Sequence, residues 1–160
     1  MATVVEQAEG KQQGLKLELT RVIKASKQRV FDAWTRPEFV RQWFGTGKVC
    51  SAIEMLPHAG GTYMIEMTGP SCSDEGGADE IRTWRVTGRY VKVEPYDLLA
   101  FTWSWGPVDE TLVTVALRDV DGGTEIKLTH ERLQTEALRD LHQHGWEISL
   151  DNLVRFAEAE

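Results

Sequence analysis

The sequence predicts an α+β chain in which a curved antiparallel sheet carries its helices on one face. Three observations lead there. Seven short stretches alternate apolar and polar residues with the period of two that marks half-buried strands. Two brief helical stretches interrupt them after the first strand, and one long helical stretch closes the chain. An antiparallel sheet with one apolar face needs cover on that face, and a long amphipathic helix supplies it.

The elements follow in order. Residues 1–14 are polar and aperiodic and read as a flexible tail, so a single domain is expected over 15–160. Leu15, Leu17 and Leu19 alternate with Lys16, Glu18 and Thr20 to start a strand that runs to about Lys24. Ser26 caps a short helix bearing Val30, Phe31, Ala33 and Trp34. Thr35-Arg36-Pro37-Glu38 has the spacing of a capping box with proline in the first turn, and Phe39, Val40 and Trp43 give the helix that follows an apolar stripe ending at Gly45. Strands are expected near 48–54, 61–68, 81–93, 97–105, 110–118 and 123–131. Turn residues separate them: Pro57 to Gly60, the long loop from Gly69 to Glu80, Pro95, Gly106-Pro107 and Asp121-Gly122-Gly123. The loop's composition suggests a flexible hairpin tip. From about Thr135 to Glu158 the period becomes helical, with Leu138, His142, Trp146, Ser149, Leu153 and Phe156 on one side and Glu147, Asp151 and Glu158 on the other, solvated side.

Composition narrows the function classes. Eighteen Lys plus Arg against 25 Asp plus Glu leave a formal charge of −7 over 160 residues. That balance, with no basic run, argues against nucleic-acid or anionic-membrane partners, which are drawn by clustered cations. Cys50 and Cys72 match no metal or disulfide framework and read as free thiols of a reducing compartment. No secretory signal or membrane-spanning run is present, so a cytoplasmic location is expected.

Six stretches then resemble a known family: VFDAWTRPEFVRQWFG at 30–45, AGGTY at 59–63, GRYVKVEPYDLLAFTW at 88–103, VTVAL at 113–117, GGTEIKLTHE at 122–131 and GWEISLDNLVRF at 145–156. Together and in this order they resemble the activator-of-heat-shock-protein-90-ATPase-homologue-like family, a branch of the START-like, or SRPBCC, helix-grip superfamily. The resemblance implies a seven-stranded antiparallel sheet gripping the C-terminal helix, often around a hydrophobic cavity. It also implies chaperone-related or stress-response roles for some members. In the eukaryotic activator, a separate N-terminal chaperone-binding domain precedes this one. Only 14 residues precede the first predicted strand here, so that domain is not expected and chaperone activation does not carry over directly.

Strand alternation places Leu99, Phe101, Trp103 and Trp105 on one face of their strand, Trp84, Val86, Gly88 and Tyr90 on one face of theirs, and Ile126, Leu128 and His130 on a third. Rings on a concave side either line a pocket for a planar or lipid-like guest or fill the core. The polar exceptions His130, His142, Ser149 and Asn152 either meet ligand atoms or bond a backbone group or a water. Gly145, near the buried stripe, reads as a packing glycine that allows close approach or a bend beside Trp146. The ligand-binding set expected is Trp84, Tyr90, Phe101, Trp103, Trp105, His130, His142, Trp146, Ser149 and Leu153.

No catalytic or metal residues are expected, and no cofactor. His142 and His144 are two apart, hence about 160° apart around a helix. His130 and Glu131 face opposite sides of a strand. Trp34, Phe39, Trp43 and Phe44 form either an aromatic rim for a protein partner or a staple closing the sheet's end. The expected function is non-enzymatic binding of a small hydrophobic or aromatic molecule by a monomer or weak dimer. The alternatives are a cochaperone-like interaction module and a polyketide-cyclase-like enzyme.

Overall fold

In the computed structural model, residues 15–45, 49–70, 81–105 and 108–159 are described. The predicted tail, most of the 69–80 loop, Cys72, and Gly106-Pro107 lie outside them. The elements are β1 (Leu15–Ile23), α1 (Lys27–Thr35), α2 (Pro37–Trp43), β2 (Val49–Met55), β3 (Thr62–Pro70), β4 (Ile81–Glu94), β5 (Leu98–Trp105), β6 (Val108–Val120), β7 (Gly123–Leu133) and α3 (Glu136–Glu158). Each predicted strand and helix is present, with ends shifted by a few residues.

All seven strands form one antiparallel sheet in the order β1-β7-β6-β5-β4-β3-β2. The first two strands in sequence therefore occupy opposite edges, and α1 and α2 form the connection that crosses between them. Register shifts at Leu15/Leu17, Cys50/Ala52, Tyr90/Lys92 and Trp103/Trp105 interrupt the ladders. Bulges of this kind bend strands and raise local twist, which curves the sheet toward the helical side.

Ser26 caps α1 as expected, its hydroxyl accepting from the Arg29 amide at 3.1 Å. The capping box does not form. Thr35 ends α1, donating its hydroxyl to the Phe31 carbonyl at 3.0 Å, and Arg36 caps α2 with no side-chain bond. Proline at the first helical position already starts α2, since it fixes φ and removes an amide that has no partner there. Gly45 ends this segment at φ +106°, a conformation that favours glycine.

The long helix α3 is capped by Thr135, whose hydroxyl accepts from the Leu138 amide at 3.1 Å. It lays His142, Trp146, Ser149, Leu150, Leu153 and Ala157 on the concave face of the sheet. Its far end is held by Arg29, which donates to the carbonyls of Ala157 and Phe156 at 2.8 and 3.0 Å and lies 5.1 Å above the Phe156 ring. The acidic side is less idle than its composition suggested. Asp151 pairs with Arg21 of β1 at 3.2 Å, Glu158 accepts from the Lys24 amide at 2.9 Å, and Glu147 is half-buried beside Gln143.

One close approach fixes the sheet's centre. A Cβ at Gly88 would lie 2.0 Å from the Thr102 carbonyl oxygen and 2.7 Å from the Tyr63 ring. That carbonyl accepts from the Tyr63 hydroxyl at 2.5 Å, while the Thr102 hydroxyl accepts from the Arg89 amide at 2.9 Å. Side chains thus complete the hydrogen bonding where β4 and β5 press together. Gly88→Ala is expected to lower the unfolding free energy by about 1–3 kcal/mol through overpacking, measured by urea denaturation. An unchanged midpoint would show that β4 and β5 can separate freely at this point.

Candidate functional site

The concave face is packed unevenly. Beneath α1 and α2 the core is dense. Trp43 is 1% exposed and donates its indole N–H to the Ala33 carbonyl at 2.9 Å, and Trp34 lies edge-on to it with ring centroids 4.8 Å apart. The small space left there, about 30 Å³, has Tyr90, Phe101, Trp34 and Trp103 among its walls. It is enough for about one water molecule.

Toward the other end of α3 a cavity of about 380 Å³ opens between helix and sheet. The sheet contributes Met67, Trp84, Val86, Trp103 and Trp105; the helix contributes Leu141, His142, Gly145, Trp146, Ile148 and Ser149, with His144 at the exposed rim and Phe44 and Gly45 closing one side. Rings dominate its wall. Trp84 and Trp105 lie 5.1 Å apart, Trp103 and Trp146 likewise 5.1 Å, and Phe44 touches both Trp103 and Trp146 at about 6 Å. Among the described lining residues there is no Asp, Glu, Lys or Arg.

The expected site residues thus separate into groups. Trp84, Trp103, Trp105, His142, Trp146 and Ser149 meet at this cavity. Tyr90 and Phe101 line the small inner space instead, because the alternation that turns them inward places them farther along the strands, under α1 and α2. Leu153 is fully buried on the sheet-facing side of α3 and lines neither. Burial holds the Tyr63 and Tyr90 hydroxyls well above the usual phenol range, so both stay neutral.

His130 also lines neither space, and hydrogen bonds explain why. The Trp146 indole N–H donates to His130 Nδ1 at 3.1 Å, and His130 Nε2 lies 2.8 Å from the Thr111 hydroxyl. That hydroxyl donates to the Trp103 carbonyl at 2.8 Å, so it accepts from Nε2, and the imidazole is the neutral Nε2–H form. Both ring nitrogens are committed within the protein. Burial, and secondarily His142 beside it, lower its pKa to about 3.

His142 differs. Its Nδ1 lies 2.8 Å from the Leu138 carbonyl, to which it must donate, while Nε2 has no partner among the described residues. The ring sits 5.0 Å from His130 and 5.6 Å from Trp105, and burial lowers its pKa. Ser149 accepts from the Gly45 amide at 3.1 Å, and Asn152 donates to the carbonyls of Trp43 and Gly45 at 3.3 Å. These three bonds pin the end of α2 and Gly45 to the cavity's edge. Trp34 and Trp43 are buried, Phe39 packs on Phe156 at 5.5 Å, and only Phe44 of that aromatic set reaches the cavity, so the set acts mainly as a staple.

Gly145 corrects another expectation. A Cβ there would meet nothing within 4 Å, so no close approach requires glycine. It lies on the cavity wall in the middle of α3, where glycine is costlier than alanine by about 1 kcal/mol. The sequence did not point to Met67, Leu141 or Ile148 as lining, and offered Phe44 only as one of an aromatic set near the cavity mouth; nor did it point to Thr111, whose signal was its place on the inward face with Val113, Val115 and Leu117. Among the described residues no three His, Cys, Asp or Glu side chains cluster as metal ligands, and Cys50 is a half-buried free thiol. No helix among them is long and apolar enough to cross a membrane.

An antiparallel sheet wrapped around a C-terminal helix, with a ring-lined space between them, defines a helix-grip protein of the START-like class. The sequence profile described as "Activator of Hsp90 ATPase homolog 1-like protein" matches residues 24–158, and the chain belongs to that family. Solved structures agree in fold. Protein CV1439 from Chromobacterium violaceum is 23% identical, covers 90% of this chain and 98% of its own, and superposes with a TM-score of 0.75. A protein from Rhodobacter sphaeroides is 28% identical over 88% of this chain and 92% of its own, at a TM-score of 0.72. An AHSA1-like protein from Aeromonas hydrophila is 22% identical over 91% and 93%, also at 0.72. No curated protein matches the chain.

Two outcomes test this account of the site. Gly145→Ala is expected to raise the unfolding free energy by about 1 kcal/mol, because the methyl gains helix propensity and meets only open space. A loss of stability in urea melts would overturn that reading. The second concerns pH. His130 stays neutral in the fold while the unfolded chain takes up a proton below the ordinary histidine value near 6.5. Stability is therefore complete above that pH and falls as pH drops toward about 3. Between pH 8 and 5.5 the loss due to His130 should be about 1.4 kcal/mol. His142 adds to it with the same sign. The His130→Gln variant should show a smaller loss over this range, and an equal loss would remove His130 as its source.

Proposed function

We propose that the protein binds a small apolar or aromatic molecule in the cavity between sheet and α3, without catalysing a reaction on it. The observation that carries this reading is the 380 Å³ space walled by Trp84, Trp103, Trp105, Trp146 and Phe44 in an otherwise dense core. Small-molecule sites occupy roughly 300–1,000 Å³ and are mostly apolar with a few polar groups that orient the guest. Gly145 supports the same reading. Its position in the wall keeps volume open at a cost in helix stability, which is the balance expected of a site selected for function rather than for packing.

The alternatives have less support. A cochaperone-type surface would draw on the aromatic residues of α1 and α2, of which Trp34 and Trp43 are buried. A cyclase-type reaction would have His142 as its proton-transfer group at the cavity wall, since both nitrogens of His130 are occupied.

Titration with N-phenyl-1-naphthylamine, a neutral apolar fluorophore, tests the reading. Saturable quenching of tryptophan emission at one equivalent is expected for the wild type, and Gly145→Leu, which extends a side chain into the space, should abolish it. Quenching that never saturates, or that is identical in the variant, would overturn cavity binding.

A further inference from the structure

We propose that the cavity selects neutral aromatic molecules bearing a hydrogen-bond donor, an O–H or a ring N–H, and that His142 Nε2 is the acceptor. This rests on the cavity-binding reading and specifies the chemistry of its guest. A neutral imidazole carries one N–H, and in His142 that hydrogen is committed. Nδ1, on the side of the ring nearest the backbone, donates to the Leu138 carbonyl one turn earlier at 2.8 Å. Nε2, at the tip of the ring, is therefore a lone-pair acceptor. His142 is only 7% exposed and lines the cavity, its ring edge-on to Trp105 at 5.6 Å and to Trp103 at 6.2 Å. A guest stacked among these rings meets that lone pair.

The remaining wall sets the charge of the guest. No cationic or anionic side chain stands among the described lining residues, so a buried ion there would lose its hydration without gaining a counter-charge. A net charge of −7 adds a long-range bias against anions. Burial opposes protonation of His142, which would otherwise turn Nε2 into a donor. Fatty acids and other carboxylates thus fit the site poorly, and pure hydrocarbons leave Nε2 unpaired. A phenol or an azole-type arene satisfies both requirements.

Three ligands on one ring system separate these terms: 2-naphthol, 2-methoxynaphthalene and 2-naphthoate, each titrated by calorimetry at pH 7.5 against the full chain. The wild type is expected to bind 2-naphthol about tenfold more tightly than 2-methoxynaphthalene, the difference of one buried hydrogen bond. In His142→Phe the preference should fall to about twofold or less with 2-methoxynaphthalene affinity retained, and His142→Gln, which restores an acceptor, should recover it. Equal wild-type affinity for the two neutral ligands, or a preference that survives in His142→Phe, would overturn the role of His142. Tighter binding of 2-naphthoate would overturn the charge selection. If no ligand binds and Gly145→Leu behaves as the wild type does, the cavity reading itself fails, an outcome distinct from the other two.

Discussion

One chain of hydrogen bonds at the centre of the molecule organises the rest. It runs from the indole of Trp146 on α3 through the imidazole of His130 on β7 and the hydroxyl of Thr111 on β6 to the backbone carbonyl of Trp103 on β5. Every donor meets an acceptor and every direction is determined. Four consecutive elements are joined by groups that are each buried. Removing any member strands its neighbours, and a stranded buried polar group costs about 1–3 kcal/mol. This is why α3 lies against the sheet at one angle and depth rather than sliding over an apolar surface, and why Trp103 and Trp146 stand 5.1 Å apart.

The cavity follows from that fixed seat. Once Trp146 is held, the helix residues on its N-terminal side, Leu141, His142 and Gly145, face Met67, Trp84, Val86 and Trp105 of the sheet across the open space. At the opposite end α1 and α2 supply Trp34 and Trp43 to fill the same curvature. The molecule is thus dense where the crossing connection passes beneath the helix and open where it does not. Arg29 at the helix carbonyls ties the dense end together, and Ser149 and Asn152 hold Trp43 and Gly45 along its border with the cavity.

Two histidines five ångströms apart show how burial and partners divide roles. His130 has given both nitrogens to the fold and is kept neutral by its surroundings. His142 has given one, to its own helix, and keeps the other. Both were equal candidates by residue type. The difference is the presence of Trp146 and Thr111 around one ring and of a cavity beside the other.

Much of this was legible along the chain. Period-two alternation placed all seven strands, Ser26 and the helical period near Thr135 placed two helix starts, and the inward faces of β4 and β5 named Trp84, Trp103 and Trp105. These are local properties, because the direction of a side chain follows from the backbone period of its own element. The false capping box at Thr35 was an error of the same local kind, since proline and the end of the preceding helix competed for the same residues. What tertiary structure alone decided was depth and partnership. Tyr90 and Phe101 face inward as their periods require, yet residues of α1 and α2 cover them, and Leu153 of α3 is fully buried away from the cavity. Gly145 looked like a contact and is an opening, and His130 looked like a ligand group and is a tie between helix and sheet. Periodicity fixes which way a residue points; what it meets is fixed by elements that arrive from elsewhere in the chain.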